Sequence, residues 1–357
     1  MQYDFGDRVK AFEEIPIFQR IPTVPVGDVY FRRPGPDYWE GKLLEASMKR
    51  LNMADDAYAN EVPVKAYYDE LGFRNPEDLT DWDIVVVGDS FTELGYLYYE
   101  DLFTTRLGEQ LGLKVKNLGA SFSAPLTYNF YLDEYGKSAS TKHAMVVFFE
   151  GNDLRGLMAE NENLQEYLRT GKRKHRNIRQ SSFLIALYDL VTELQSRKNK
   201  TGEPVLIRNA RFMQSNNPED AIDVSVGCTT NGSEKLSELQ INLLNDAVSG
   251  WAETARRHGL TPWFVYMPVK RRVLDSRLEF LDDANSKIVG CELSDFPSVV
   301  ESLVHKHDVR FIDLTPGLIA ETRQGRLTYN PVWDTHLNKH GSHVVSDLIA
   351  HEFKQAR

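Results

Sequence analysis

The feature that most constrains the fold is a series of short apolar segments, separated by stretches of helix length, that begins near residue 83. The first segment, Ile84–Val87, is apolar at every position and runs into a Gly-Asp-Ser sequence. A continuous apolar run of this length is typical of a strand that is buried on both faces, as in a parallel sheet. Further strands are predicted at Lys114–Leu118, Ala144–Phe149, Thr261–Met267 and Val309–Asp313.

Helical patterns lie between and after these strands. They are predicted at about Tyr98–Leu111, Glu234–His258 and Lys339–Lys354. Strands that alternate with helices at this spacing indicate βαβ units, and βαβ units build a parallel sheet with helices on its faces. The predicted fold class is therefore α/β, with a core domain over residues 81–357.

Two regions depart from the alternation. Residues 1–80 are rich in proline and aromatic residues, which predicts an irregular arm that packs on the core and contains one helix, roughly Trp39–Leu51. Residues 154–233 interrupt the alternation after the third strand. They are interpreted as an insertion at one sheet edge, with a helix at about Ser182–Ser196.

Composition excludes several classes of protein. The chain has 42 Lys or Arg and 52 Asp or Glu, for a net charge of −10, and nucleic acid needs a basic partner surface. No run reaches the roughly 20 apolar residues that span a bilayer, and the N-terminus has no signal-peptide pattern. The two cysteines, Cys228 and Cys291, can form one bridge, which the sequence alone leaves open.

Reactive side chains follow the predicted strands. Ser90 comes after the first strand, Gly119 after the second and Asn152 after the third, while Asp334 and His336 precede the last helix. In open α/β sheets the ligand binds beyond the carboxyl ends of the strands. These five residues are therefore expected to meet at one edge of the sheet.

Each of these residue types has a role in acyl transfer. A serine hydroxyl is a weak nucleophile until a base removes its proton, and we predict Ser90 as nucleophile with His336 as base. Asp334 would fix the orientation of that imidazole. The backbone N–H groups of Ser90 and Gly119 and the side-chain amide of Asn152 are the predicted oxyanion donors.

Four short motifs resemble those of the SGNH or GDSL hydrolases, over roughly residues 66–355. They are listed here in chain order: Val87–Thr92, Asn117–Gly119, Gly151–Asp153 and Asp334–His336. The resemblance implies a three-layer, flavodoxin-like SGNH fold and a serine nucleophile. It also implies acyl-ester substrates and no cofactor or metal.

Two departures from the family pattern affect the predicted function. Glu150 stands where the third motif has glycine, and only Thr335 separates Asp334 from His336. The shorter spacing is similar to that in SGNH-like enzymes that acetylate exopolysaccharides, although there the Asp-x-His pair generally precedes the serine. The segment Met267–Val273 also looks like a stretch in polysaccharide-acylating relatives.

Three functions follow from these observations. The first is an esterase that removes an O-acyl group, with O-acetyl favoured, from a carbohydrate. The alternative is a polysaccharide O-acetyltransferase that uses the same triad, and the second alternative is an inactive glycan-binding protein. Relatives that act on envelope or secreted glycans are extracytoplasmic. The resemblance therefore implies an extracytoplasmic location for this chain.

A metal site is the competing interpretation of the C-terminal histidines. His336, His340 and His343 have a spacing that would place them near one another, with Asp334 as a fourth ligand. No further carboxylate or cysteine pattern completes a coordination shell. The sequence therefore favours His340 and His343 as helix-surface residues and predicts no metal.

Overall fold

A computed structural model describes residues 17–20, 22–42, 63–173, 209–228, 236–282, 284, 286–331 and 335–356. The strands in these residues are β1 (Val24–Val26), β2 (Tyr30–Arg32), β3 (Asp37–Lys42), β4 (Pro63–Tyr68), β5 (Ile84–Gly88), β6 (Val115–Gly119), β7 (His143–Phe149), β8 (Ala210–Met213), β9 (Ala221–Val224), β10 (Thr261–Met267), β11 (Leu278–Phe280) and β12 (Arg310–Asp313).

The helices of the described residues alternate with these strands. They are α1 (Ser90–Glu93), α2 (Phe103–Leu111), α3 (Pro125–Tyr135), α4 (Asp153–Thr170), α5 (Glu238–Arg257), α6 (Lys270–Leu274), α7 (Ser286–Val289), α8 (Phe296–Lys306), α9 (Thr315–Arg323) and α10 (Lys339–Gln355). In this part of the chain no helix combines the length and the apolar character that a membrane crossing requires.

The central sheet has five strands in the order β12-β10-β7-β5-β6, and every neighbouring pair is parallel. Numbered along the chain, this order is 2-1-3-4-5, the flavodoxin-like arrangement. The strand order reverses between β5 and β7, and in open α/β sheets ligands bind beyond the carboxyl ends of the strands at such a point. The prediction of an α/β fold with a parallel central sheet is confirmed.

Burial on both faces explains the continuous apolar run of β5. Ile84 and Val86 belong to the hydrophobic cluster that also contains residues of α2 and α10. Val85 and Val87 belong to the cluster on the opposite face, which contains residues of α3, α5 and α8. Because successive strand residues point to opposite faces, a strand between two helical layers needs apolar residues at every position.

The N-terminal arm differs from its prediction in one element. Trp39 lies in β3 rather than in a helix, and it pairs with Ala66 of the antiparallel strand β4. Pairing with a strand distant in sequence outweighs local helix preference here. The remainder of the predicted helix, residues 43–51, lies outside the described residues. The division into an arm and a core domain stays a prediction.

The predicted insertion is described only in part. Its first segment is α4, which packs against α3 and α5 in the helical layer of the core. Strands β8 and β9 then form a small antiparallel sheet with β11, which comes from a later part of the chain. The helix predicted at Ser182–Ser196 lies outside the described residues.

The disulfide that the sequence left open is formed. Cys228 follows β9 and Cys291 follows α7, and their Cα atoms are 5.8 Å apart. The bridge closes a separation of 63 residues in the sequence. A crosslink over a loop of this length stabilises a fold by about 4 kcal/mol in the chain-entropy description.

Candidate active site

Ser90 lies where β5 ends and helix α1 begins. The preceding residue, Asp89, is the N-cap of α1, and its side chain accepts a 2.8 Å hydrogen bond from the N–H of Phe91. A cap of this kind fixes the turn between strand and helix. It holds the Ser90 hydroxyl at the carboxyl edge of the sheet, where the side chain is partly exposed.

His336 meets Ser90 although the two residues are 246 positions apart in the sequence. The distance from its Nε2 atom to the Ser90 Oγ is 2.6 Å. The imidazole packs on Phe91 and Tyr96, with ring centroids 4.6 and 5.9 Å apart. This is the hydrogen-bond geometry of a nucleophile and its general base. Asp334 lies outside the described residues, so its orienting role stays a prediction.

The base is carried by the segment Tyr329–Asn338, which we call the His336 loop. Within its described part, the N–H of Asn330 donates to the carbonyl of His336 at 2.8 Å. At the end of the loop, Asn338 caps helix α10 by accepting a 2.8 Å bond from the N–H of Gly341. Bonds on both sides of the imidazole therefore hold its backbone in place.

A buried lysine holds the His336 loop from outside. Lys270 is 3% exposed, and its Nζ donates to the carbonyls of Asn330 and Pro331, each at 2.5 Å. The hydroxyl of Tyr329 donates to the carbonyl of Pro268 at 2.8 Å. The segment that follows β10 thus supports the loop that carries the base.

Glu150, the departure from the family motif, makes a buried ion pair. Its carboxylate accepts a 2.6 Å bond from Arg272 and a 3.0 Å bond from the N–H of Val269. These bonds tie the end of β7 to α6. The glutamate therefore serves a contact between two elements and leaves the position of Asn152, two residues later, unchanged.

Asn152 lies at the N-terminus of α4 and beside the nucleophile turn. Its side-chain amide is close to the Asp89 carboxyl. Its Oδ1 atom is buried and has no hydrogen-bond partner in the described residues. The contact with the Asp89 carboxyl places the amide beside the residue that precedes Ser90, and its role as an oxyanion donor stays a prediction.

Two buried aspartates support the site without reaching the nucleophile closely. Asp153 accepts 2.8 Å bonds from the Tyr128 hydroxyl and from the N–H of Phe149. Burial raises the pKa of Asp89, and burial together with the nearby Asp89 charge raises the pKa of Asp153 well above its usual range. The Asp89 carboxylate is 3.4 Å from the Ser90 hydroxyl, much farther than the imidazole. Both aspartates accept bonds from backbone N–H and hydroxyl groups and so hold the turns around the site.

Gly119, a predicted oxyanion donor, is already bonded within the chain. Its N–H donates to the Asn117 side chain at 2.7 Å, so this donor is occupied. A Cβ at position 119 would lie 2.4 Å from the backbone nitrogen of Glu93. The glycine is therefore required because α1 packs directly on the end of β6, rather than because a substrate approaches its backbone.

The loop that follows β6, Ala120–Ala124, lies against both ends of the nucleophile turn, and we call it the Phe122 loop. The N–H and the hydroxyl of Ser121 both donate to the carboxylate of Glu93 at 2.5 Å. The hydroxyl of Ser123 lies 3.3 Å from the carbonyl of Gly88. Since residues 88 and 93 bracket the nucleophile, the loop is fixed beside it.

One backbone donor of this loop is unoccupied. The neighbouring N–H groups with acceptors are those of Gly119, Ala120, Ser121, Ser123 and Ala124. In the described part of the chain the N–H of Phe122 has no acceptor, and neither has that of Ser90. Phe122 also has a left-handed backbone, with φ of 68°. Because neither N–H donates within the described chain, both are free to bind a ligand at the nucleophile turn.

Glu160 of α4 anchors the far end of the Phe122 loop. Its carboxylate accepts bonds of 3.1 Å from the N–H of Ala124 and 2.9 Å from that of Leu126. Ala124 is the N-cap of α3 and has no capping side chain of its own, so Glu160 replaces one. Burial raises the pKa of Glu160 to about 7.

Glu93 connects the site to the N-terminal arm. It is fully buried, and it accepts bonds of 2.9 Å from Arg33 and 2.5 Å from the Tyr68 hydroxyl. Arg33 in turn donates to the carbonyls of Ile17 and Phe18 at 2.6 and 2.8 Å. The arm therefore contributes to the support of the nucleophile helix.

The C-terminal histidines have separate partners. His340 lies 2.7 Å from a carboxylate oxygen of Glu321, and His343 lies 2.9 Å from one of Asp101. Among the residues that the structure describes, no group of histidine, cysteine or acidic side chains is arranged to hold a metal ion. The imidazole of His336 is directed at Ser90 instead.

Sequence reasoning missed three residues of the site: Phe122, Lys270 and Glu93. A large aromatic residue between two serines, just after a predicted strand, is a weak signal for Phe122. Lys270 lies in the segment Met267–Val273 that the resemblance singled out, but neither it nor Glu93 carries a local signal for its role, because both act through partners distant in sequence. Their roles depend on burial, which a single sequence does not reveal for a charged residue.

The fold and the Ser90–His336 pair define an α/β protein with a serine and a histidine in contact at the switch point of its sheet. No protein-family profile and no curated protein sequence matches the chain. Solved structures to which it is similar include proteins described as GDSL lipolytic proteins or lipases.

Three of these structures show the level of similarity. A member of the lipolytic G-D-S-L family from Veillonella parvula has 11% identity and a TM-score of 0.38, with 76% of this chain and 98% of that chain covered. A lipase/acylhydrolase from Enterococcus faecalis has 8% identity and a TM-score of 0.38, with 77% and 96% covered. A GDSL-like lipase from Bacteroides thetaiotaomicron has 12% identity and a TM-score of 0.37, with 77% and 89% covered. Conclusions about activity rest on the site itself.

Proposed function

We propose that this chain is a serine-dependent ester hydrolase of the SGNH type. The observation that carries the proposal is the 2.6 Å contact between the Ser90 hydroxyl and the His336 imidazole. The contact lies at the carboxyl ends of the central strands, where α/β proteins of this topology bind their ligands. A hydroxyl and an imidazole in this arrangement are the parts needed for acyl transfer through a covalent intermediate.

The proposed reaction has two halves. Ser90 Oγ attacks the acyl carbon while His336 accepts its proton, and the tetrahedral intermediate collapses as His336 returns that proton to the leaving alcohol. This leaves an acyl-enzyme on Ser90. Water then attacks the acyl carbon, again with His336 as base, and releases the carboxylic acid and the free serine. Asp334 is proposed to orient the imidazole.

The oxyanion of each tetrahedral intermediate needs preorganised donors. We assign them to the unoccupied N–H groups of Ser90 and Phe122 and to the side-chain amide of Asn152. This set replaces Gly119 with Phe122, because the Gly119 N–H is bonded to Asn117. Support for Phe122 comes from the anchors of its loop on both sides of the nucleophile turn.

The substrate class is proposed to be an O-acylated carbohydrate, with O-acetyl as the first acyl group to test. The one-residue spacing between Asp334 and His336, similar to that of exopolysaccharide-acetylating enzymes, favours a carbohydrate. The formed Cys228–Cys291 bridge favours an oxidising compartment, since structural disulfides persist there. An extracytoplasmic enzyme that acts on glycans agrees with both observations.

Hydrolysis of p-nitrophenyl acetate by the wild type and by Ser90→Ala tests the catalytic part. We expect the variant to lose nearly all activity, because no acyl-enzyme can form. The matched control is Ser249→Ala, which removes an exposed hydroxyl that bonds only to Glu253. Equal rates for wild type and Ser90→Ala would exclude serine catalysis and favour the glycan-binding alternative.

Hydrolysis and transfer are separated by their products. The enzyme is incubated with an acetylated oligosaccharide and an unacetylated one of different length, and free acetate and oligosaccharide masses are measured. We expect acetate release without a mass gain of 42 Da, roughly one acetyl group, on the second oligosaccharide. Acetyl gain on that acceptor would identify the chain as an O-acetyltransferase.

A further inference from the structure

Among the large apolar residues of the described chain, only Phe122 combines an exposed side chain with a left-handed backbone. Its side chain is 55% exposed, and its backbone has a φ of 68°. The left-handed region is sparsely populated by bulky residues, and strain of this kind concentrates at functional sites. Leu94 shares the positive φ but is fully buried, so packing accounts for its conformation. Packing does not account for Phe122.

Hydrogen bonds of the two flanking serines hold the backbone on both sides of Phe122. Ser121 is bonded to Glu93 through both its N–H and its hydroxyl, and Ser123 is bonded through its hydroxyl to the carbonyls of Ala120 and Gly88. Both neighbours of Phe122 are therefore fixed by the same turn that holds the nucleophile. The strained backbone presents the ring to solvent between two serines that are bonded to residues on either side of Ser90.

The opposite side of the nucleophile is already filled. The imidazole of His336 packs on Phe91 and Tyr96, which belong to one hydrophobic cluster of the sheet. Ala120, in the Phe122 loop, belongs to the cluster on the other face. The ring of Phe122 belongs to neither cluster and is an exposed apolar surface on a loop that is bonded to the nucleophile turn.

We infer that the ring of Phe122 is a substrate-binding surface that determines which esters the site accepts. This inference rests on the proposed esterase function and adds its specificity. The ring covers an apolar face of a group attached to the ester, and that contact removes its exposed surface from water. An acyl chain and a carbohydrate ring both offer such a face, and the two are separated by experiment.

Three esters test the inference: ethyl acetate, ethyl octanoate and cellobiose octaacetate. The first two differ only in the acyl chain, and the first and third share the acetyl group. We measure kcat/KM for each with the wild type, Phe122→Ala and Phe122→Tyr. In Phe122→Ala, the ratio of one larger ester to ethyl acetate should fall about tenfold, as expected for the loss of an aromatic contact.

The affected ester identifies the group that the ring contacts. A fall for ethyl octanoate assigns the acyl chain, and a fall for cellobiose octaacetate assigns the carbohydrate. Phe122→Tyr retains the ring and should keep both ratios within about twofold of the wild type. Leu168→Ala, which removes a 67% exposed side chain from α4, is the control for a general surface effect.

Two results would overturn the inference. The first is Ser90-dependent hydrolysis of all three esters with both ratios unchanged in Phe122→Ala, which leaves the proposed function intact. The second is the absence of Ser90-dependent hydrolysis of any ester by the wild type, which removes the proposed function and this inference together. Thermal unfolding of Phe122→Ala verifies that the variant is folded at the assay temperature.

Discussion

Two loops flank Ser90, and opposite charges hold them. The His336 loop offers carbonyl groups, which the ammonium group of Lys270 binds. The Phe122 loop and the helix start behind it offer N–H groups, which the carboxylates of Glu93 and Glu160 bind. In each case a buried charged side chain from another element satisfies backbone groups that have no regular partner.

The ring carried by each loop differs in its packing and exposure. The His336 ring is packed between other rings and directed at the nucleophile. The Phe122 ring is mostly in solvent. The difference agrees with the proposed roles of the two rings. A general base needs a fixed orientation, whereas a side chain that contacts the substrate must be exposed before the substrate binds. The predictions below test whether the two loops divide the work in this way.

The largest effect is expected for His336→Ala. Loss of the general base should lower kcat/KM for p-nitrophenyl acetate about a thousandfold, while the fold is retained. Steady-state kinetics and circular dichroism measure the two properties. His340→Ala is the matched control, since His340 bonds only to Glu321 on the described surface. A loss of less than tenfold would remove the His336 loop from catalysis.

Lys270→Met should destabilise the protein and impair catalysis together. The substitution removes the Lys270 donor from the Asn330 and Pro331 carbonyls, of which the second keeps a 2.9 Å bond from the Ser225 N–H. Because two charge-assisted bonds are lost, we expect a loss of about 3 kcal/mol in the free energy of unfolding. Urea denaturation measures that loss, and kcat reports the misplaced base. Lys65→Met, at an exposed ion pair with Glu40, should change neither property. If Lys270→Met were destabilised but kept the wild-type kcat, the lysine would stabilise the fold without positioning the base.

Glu160→Gln should change how stability depends on pH. Folding raises the pKa of Glu160 from 4.5 to about 7, so the folded state binds this proton more tightly than the unfolded state. Its contribution is fully present below pH 4.5 and is lost as the pH rises through about 7. The total is about 3 kcal/mol.

Urea denaturation of the wild type and Glu160→Gln at pH 5 and pH 8 measures this contribution. The difference between the two pH values should be smaller in Glu160→Gln. Glu253→Gln, on the exposed surface of α5, should behave like the wild type. An identical pH dependence in all three proteins would show that the Phe122 loop is not held by a carboxyl that titrates near neutrality.

Ser121→Ala should have the smallest effect. It removes the hydroxyl bond to Glu93 but leaves the N–H bond, so the expected destabilisation is about 1 kcal/mol. Thermal unfolding compared with Ser249→Ala is sufficient to detect it. A loss as large as that of Lys270→Met would mean that the Phe122 loop, rather than the His336 loop, is the more tightly coupled of the two.

Much of the core was predictable, because its signals are local. The apolar runs of β5, β7 and β10 each span a few residues, and their continuous apolar composition indicates burial on both faces of the sheet. The start of α5 shows how boundaries shift. The helix begins at Glu238, four residues later than predicted, because Ser237 and Gln240 form a capping box there.

The missed features share a different origin. Trp39 belongs to a strand because its partner Ala66 is distant in sequence. The Gly119 N–H is occupied because the Asn117 side chain accepts a bond from it, two residues further along the chain. That side chain is held by bonds to the Thr92 carbonyl and the Thr104 hydroxyl, which no local pattern predicts.

The sequence by itself determined that a serine follows the first buried strand and that a histidine precedes the last helix. Both are consequences of where elements begin and end, which local composition controls. Only the tertiary structure decided which backbone N–H groups remain unoccupied and which ring faces solvent. Those properties depend on hydrogen-bond partners and neighbours contributed by segments far apart in the chain, and these meet only when the sheet and its loops are assembled.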